Sequence, residues 1–123
     1  MADMEPIFFE TAGDLRSWFA EHHESASEIW VGMWKKGSGR PSVGMLEAID
    51  EALCVGWVDS VVRKIDEVSY AMRFTPRKPK SNWAPGNIKR FAKLAAEGKV
   101  LPAGVAAYER RPVPPQGKDP AGQ

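Results

Sequence analysis

The chain has little cysteine, little histidine and no long apolar segment, and each shortage excludes a class of protein. Cys54 is the only cysteine among 123 residues, so an internal disulfide cannot form and a thiolate metal site is out of reach. No apolar run approaches the ~20 residues that a membrane span needs. The first six residues include Asp3 and Glu5, where a signal peptide would be basic. We therefore expect a cytoplasmic protein without disulfides.

The remaining composition is that of one folded domain. Hydrophobic residues make up 43% of the chain and charged residues 27%, which is typical of a soluble globular protein with a single core. The last twelve residues, 112–123, contain four prolines and only one branched apolar side chain. We therefore predict a single domain over residues 1–110 and a disordered, Pro/Gly-rich tail over 111–123.

The periodicity of apolar residues alternates between helix and strand. Apolar residues recur at helical spacing after Thr11, and they alternate on both faces of a strand over 28–35. Residues 60–65 and 68–75 are typical of a β-hairpin, and Phe8 begins a short edge strand. Further helices begin near Gly44, Pro85 and Pro102. This order predicts an α+β fold, in which three or four helices cover a small antiparallel sheet of three or four strands.

The helix predicted after Gly44 has an apolar and an acidic side. The residues expected on its buried side are Leu46, Ile49, Leu53 and Trp57. The opposite side carries Glu47, Asp50 and Glu51. This acidic cluster is more typical of a solvated helix face than of a metal site, because no histidine lies at matching spacing.

Charge is unevenly distributed along the chain. Residues 1–67 have a net charge of −7 and residues 68–123 one of +8, and no acidic residue lies between Arg73 and Lys93. A basic loop stiffened by prolines leads into the helix predicted at Pro85. Basic side chains and a helix N-terminus both attract phosphate or carboxylate. We therefore predict a site for an anion or a nucleic acid formed by Arg73, Arg77, Lys78, Lys80, Trp83, Asn87, Lys89 and Arg90.

Other interpretations of these residues stay open. Trp83 is also consistent with a core residue and the charges with a solvated face. Alternatively, the basic segment lies against the acidic half of the same chain. The alternating strand also predicts a tryptophan-rich face, Trp30 and Trp34, which would suit a protein partner or a homodimer.

The sequence contains no complete catalytic motif, which favours a binding module over an enzyme. An enzyme acting on a small anionic substrate would need a pocket that joins Cys54, Asp59 or a histidine to the basic loop. Cys54 lies among apolar residues of a predicted helix, where cysteine usually serves as a small buried hydrophobe. We expect neither a metal nor a cofactor.

Four blocks of sequence resemble the YdeI/OmpD-associated family of bacterial proteins. They are residues 32–42, residues 50–59, residues 73–79 together with Ser81, Trp83 and Asn87, and residues 97–104, all within about residues 8–109. The resemblance implies a role in stress or bacteriocin tolerance. It brings no reaction, cofactor or catalytic residue. Members of the family often continue with a further helical segment, whereas this chain ends in the Pro/Gly-rich tail.

Overall fold

The computed structural model describes residues 5–79 and 81–112. Its elements in chain order are β1 (Ile7–Phe8), α1 (Ala12–His22), β2 (Ile29–Trp34), α2 (Met45–Cys54), β3 (Trp57–Lys64), β4 (Ser69–Pro76), α3 (Pro85–Ala96) and α4 (Pro102–Glu109). The α+β prediction is confirmed. The predicted tail lies outside the described residues from 113 onward.

The four strands form one mixed sheet in the order β1-β2-β4-β3. The short strand β1 is parallel to β2, whereas the β2–β4 and β4–β3 pairs are antiparallel. The predicted hairpin is the β3–β4 pair. In its turn the Asp66 carboxylate accepts hydrogen bonds from the Val68 amide at 2.9 Å and the Ser69 hydroxyl at 2.8 Å. None of the helices in the described part of the chain is long and apolar enough to cross a membrane.

The main core lies between the inner face of the sheet and the helices α1 and α2. Alternate residues of β2 and β4 point into it, and they meet Leu15 and Phe19 of α1 and Ala48 and Ala52 of α2. The strand residues of this core are Ile29, Val31, Met33, Trp57, Met72 and Phe74. The residues that alternate with them form the opposite face, which we call the outer face; it includes Phe8, Trp30, Gly32, Trp34, Arg63, Ala71 and Arg73.

A second, smaller core lies on the far side of α2, where α3 and α4 pack. Leu53 and Cys54 of α2 meet Trp83, the α3 residues Phe91 and Leu94, and Ala107 of α4 in this cluster. Both helices have proline in the first turn. Proline suits this place because the amides of the first turn have no acceptor within the helix, so its missing amide hydrogen removes no helical hydrogen bond. The domain therefore has three layers: the sheet, α1 with α2, and α3 with α4.

The prediction for the faces of α2 is partly wrong. Leu46, expected to be buried, is 59% exposed, and Glu51, expected on the solvated side, is only 8% exposed. The reason is a partner distant in sequence: Glu51 accepts two hydrogen bonds from the Arg16 guanidinium of α1, at 3.0 and 2.8 Å. Trp57, placed by the sequence on the same helix face, begins β3 instead.

Candidate anion site

Two of the predicted site residues are held in ion pairs within the chain. Arg73 donates from Nε to a Glu28 oxygen at 2.6 Å on the outer face of the sheet. Arg90 of α3 donates twice to Asp50 of α2, at 2.8 and 2.9 Å. Both pairs join the basic segment to the acidic half of the chain, as the alternative interpretation predicts. Arg73 and Arg90 therefore stabilise tertiary contacts, and they do not converge on one site.

The other predicted residues differ in their surroundings. Lys78 and Lys89 are exposed, and Asn87 is half-buried in the first turn of α3. Lys80 lies outside the described residues. The predicted residues that the structure brings together are Arg77 and Trp83.

Arg77 is buried although it carries a charge. It is 7% exposed, and its guanidinium carbon lies 4.0 Å from the centre of the Trp83 ring. Its backbone amide donates to the Gly56 carbonyl at 2.9 Å, which fixes the residue beside the start of β3. Among the described residues no carboxylate forms an ion pair with it, and its one side-chain hydrogen bond, from Nη1 to the Asn82 carbonyl, is long at 3.4 Å. Burial of a cation without a close counter-charge is costly.

The electrostatics of Arg77 agree with this geometry. Burial lowers the pKa of the guanidinium below its ordinary value, and the charge of Asp59 opposes the shift. Asp59 lies half-buried on β3. Its charge acts on Arg77, but among the described residues the two side chains form no ion pair.

Three buried polar atoms of this loop lack hydrogen-bond partners among the described residues. They are Arg77 Nε, Ser81 Oγ and Trp83 Nε1. Each can donate a hydrogen bond, and arginine and tryptophan side chains can only donate. Most buried polar side-chain atoms in proteins find a partner, so three orphaned donors within seven residues are unusual. Ser81 is the member of this group that the site prediction missed, although it belongs to the block that resembles the YdeI/OmpD-associated family.

The second core holds the Trp83 ring in place. Trp83 makes edge-to-face contacts with Phe91 and Tyr108, with ring centres 5.6 and 5.4 Å apart. Phe91 and Tyr108 are themselves stacked at 4.3 Å. Trp83 is thus a core residue and also the platform on which Arg77 lies, so the structural and the functional interpretation of this residue are compatible.

Helix α3 begins at Pro85, two residues after Trp83. Its N-cap is Ala84, which has no side chain able to cap the helix, and its first turn contains no acidic residue. The partial positive charge of the helix N-terminus is therefore not offset by the helix's own side chains. Loop and helix together make this region electropositive.

The residues considered for catalysis and metal binding have other roles. Burial raises the pKa of Cys54 to about 11, so its thiol is protonated near neutral pH and is a poor nucleophile. His23 lies within hydrogen-bond distance of the Phe19 carbonyl, at 2.7 Å from Nδ1. The acidic residues of α2 include Asp50 and Glu51, which bind Arg90 and Arg16 respectively.

Comparison with known proteins places the chain in one family. No curated protein and no solved structure shows significant similarity to it. A family model described as a domain of unknown function, DUF8412, matches residues 7–107, from β1 to the last turn of α4. Within the described residues, the match contains the four strands, α1 to α3, α4 except its last two residues, and the three orphaned donors. The chain therefore belongs to the DUF8412 family.

Proposed function

We propose that this domain is a binding module for a small oxoanion, a phosphate or a carboxylate, held by Arg77, Ser81 and Trp83 at the start of α3. The observation that carries the proposal is the set of three buried donors without partners. A buried donor that makes no hydrogen bond costs about 1–3 kcal/mol, and a charged one costs more. An oxoanion removes this cost because it accepts several hydrogen bonds and neutralises the guanidinium.

The donor set favours oxygen anions over other ligands. A guanidinium matches the geometry of phosphate and carboxylate, and hydrogen bonds between charged groups are about twice as strong as neutral ones. The positive end of α3 adds attraction for the same charge. Lys78 and Asn82 of the same loop are exposed, so the loop that carries the donors runs along the surface.

The test is calorimetric titration of the protein with inorganic phosphate, sulfate and acetate, together with thermal unfolding in each. A ligand at about 100 times its Kd raises the free energy of unfolding by about 2.7 kcal/mol. Arg77→Met removes the charge and keeps much of the side-chain volume over Trp83. We expect this variant to lose both the heat of binding and the stabilisation.

Two milder variants remove one donor each. Trp83→Phe removes the indole N–H and keeps an aromatic ring, and Ser81→Ala removes only the hydroxyl. Each is expected to weaken anion binding by roughly tenfold or more, since a hydrogen bond to a charged group contributes about 1.5–3 kcal/mol. Without ligand, Ser81→Ala is expected to be neutral or stabilising, because the donor that it removes is unsatisfied.

The matched control is Lys89→Ala, which removes an exposed cation from the same helix and is expected to bind phosphate like the wild type. Absence of heat and of stabilisation with all three anions at millimolar concentration refutes the proposal. Equal losses in Lys89→Ala and Arg77→Met would show a diffuse charge effect instead of a site. A role of such binding in stress or bacteriocin tolerance, as the family resemblance implies, stays a prediction.

A further inference from the structure

The outer face of the sheet carries no helix of the described chain, and a row of aromatic rings runs along it. The helices pack on the inner face and on each other, as the two core clusters show. Trp30 and Trp34 of β2 lie on the outer face, about 13 Å apart along the strand at 3.3 Å per residue. Between them lies Gly32, with the Phe8 ring directly above it: a Cβ at Gly32 would be 2.7 Å from that ring. Phe8 also stacks on Trp34, with ring centres 4.5 Å apart.

Arginine side chains accompany these rings. The Arg40 guanidinium lies 4.5 Å from the centre of the Trp34 ring, and that of Arg63 lies 6.0 Å from Trp30. In the described part of the chain neither arginine forms an ion pair. The outer face therefore combines partly exposed rings with available positive charge.

A basic groove continues this face beyond Trp34. It has a volume of about 560 Å³ and is lined by Trp34, Lys35, Lys36, Gly37, Gly39, Arg40, Pro41 and Ser42. Three of its lining residues are cations and none is acidic. Gly37 and Gly39 have positive φ angles of 89° and 81°, and no atom lies within 4 Å of the position that a Cβ would take. The groove is therefore shallow, open to solvent at Gly37 and Gly39, and positively charged.

We infer that the outer face binds single-stranded nucleic acid, with bases stacked on Trp30 and Phe8, Trp34 supporting the Phe8 ring and Arg40, and phosphates along Arg63, Arg40 and the basic groove. Single strands present both groups that this surface matches: flat bases for the rings and one negative charge per nucleotide for the cations. A duplex hides its base faces, so it satisfies only the cations. A purely apolar partner would leave both guanidinium groups covered without a counter-charge, which is costly. The surface is separate from the Arg77 site.

The experiment is fluorescence anisotropy of labelled twelve-nucleotide oligo(dT) and oligo(U), and of a duplex of equal length, at about 50 and 200 mM salt. We expect the single strands to bind more tightly than the duplex. The double variant Arg40→Ala/Arg63→Ala is expected to weaken single-strand binding at least fivefold and to reduce the slope of log K against log salt by about 1.4. Trp34→Leu, which keeps an apolar side chain beside Phe8, is expected to weaken it by roughly 5- to 100-fold.

The matched control is Lys78→Ala/Lys89→Ala, which removes two exposed cations elsewhere and is expected to change affinity less than twofold. Circular dichroism and urea unfolding of each variant establish that it is folded. The inference is overturned by absence of binding at 50 mM salt, by an equal loss in the control variant, or by preference for the duplex. It is also overturned if the protein is a dimer by light scattering, if Trp34 is buried in that dimer, and if the dimer does not bind the oligonucleotide. Arg77→Met should leave oligonucleotide binding unchanged, which separates this surface from the oxoanion site.

Discussion

Gly104 lies where α4 meets the C-terminal end of α2, and replacing it by alanine tests how closely these helices must approach. A Cβ at this position would collide with the Cys54 carbonyl oxygen, and it would lie 2.8 Å from the Cys54 carbonyl carbon and 2.9 Å from the Leu53 oxygen. Ordinary contact for such an atom begins at 3.4 Å. All three atoms belong to the backbone, so a side-chain rotation cannot relieve the clash and α4 must move outward.

The cost follows from what this movement disturbs. Overpacking a close-packed site costs about 1–3 kcal/mol, and the helix propensity of alanine over glycine returns up to about 1 kcal/mol. Displacement of α4 also strains the hydrogen bond from the Leu101 amide to the Cys54 carbonyl, at 2.9 Å, and it loosens Ala107 in the second core. We expect Gly104→Ala to lower the free energy of unfolding by about 2 kcal/mol.

Urea unfolding followed by tryptophan fluorescence and circular dichroism measures this change. The matched control is Gly86→Ala in the first turn of α3, where no atom lies within 4 Å of the added Cβ; it is expected to raise the free energy of unfolding by up to about 1 kcal/mol. Because Tyr108 of α4 contacts Trp83, Gly104→Ala should also weaken phosphate binding. If Gly104→Ala unfolds at the same urea concentration as the wild type, the close approach of α4 to α2 is refuted.

Three further predictions concern other parts of the fold. Arg16→Ala leaves the buried Glu51 carboxylate without its partner, and we expect it to lower the free energy of unfolding in urea by about 1–2 kcal/mol. The loss is smaller than for a fully buried pair because Arg16 is largely exposed. An unchanged free energy of unfolding would show that the pair does not stabilise the fold. Hydrogen bonds, chiefly from the Val68 amide, hold the pKa of Asp66 below its ordinary 3.8. The stabilisation of the hairpin by Asp66 is therefore complete above pH 3.8, and it is lost as the pH falls through the lower pKa of the folded state. Asp66→Ala should lack this contribution in acid unfolding, and acid unfolding curves identical to those of the wild type would contradict the prediction. Cys54, with a pKa raised to about 11 by burial, should react with a thiol reagent at pH 8 only as fast as the protein unfolds, and rapid labelling of the folded protein would count against its burial.

The sequence predicts well those features that depend on neighbouring residues. Thr11 caps α1 by accepting a hydrogen bond from the Asp14 amide at 3.1 Å. At the start of α2, Glu47 accepts one from the Gly44 amide at 2.8 Å. The start of α3 is likewise predicted from a single residue, the proline at its first position. Caps, turns and alternation need only a few consecutive residues, so they can be read without knowledge of the tertiary structure.

Prediction fails where a residue depends on a partner far along the chain. Nothing near Glu51 in the sequence indicates that Arg16, 35 residues earlier, would allow it to be buried. The outer-face arginines show the same difficulty. Arg63 reaches Trp30 across β4, which lies between β2 and β3, and Arg40 lies over Trp34 because the loop after β2 folds back. Hydrophobic periodicity specifies neither the sheet order nor the path of a loop.

The basic segment shows why a count of charges is a poor guide to a binding site. A cation attracts a ligand only to the extent that its own chain leaves its charge uncompensated. Arg90 is compensated by Asp50 at 2.8 Å, whereas the exposed Lys89 is screened by water and salt. Arg77 has neither a paired carboxylate among the described residues nor access to bulk water, so an incoming anion gains most there. The composition alone ranks Arg77 no higher than its neighbours, and its burial is the reason that the proposed oxoanion site is centred on it.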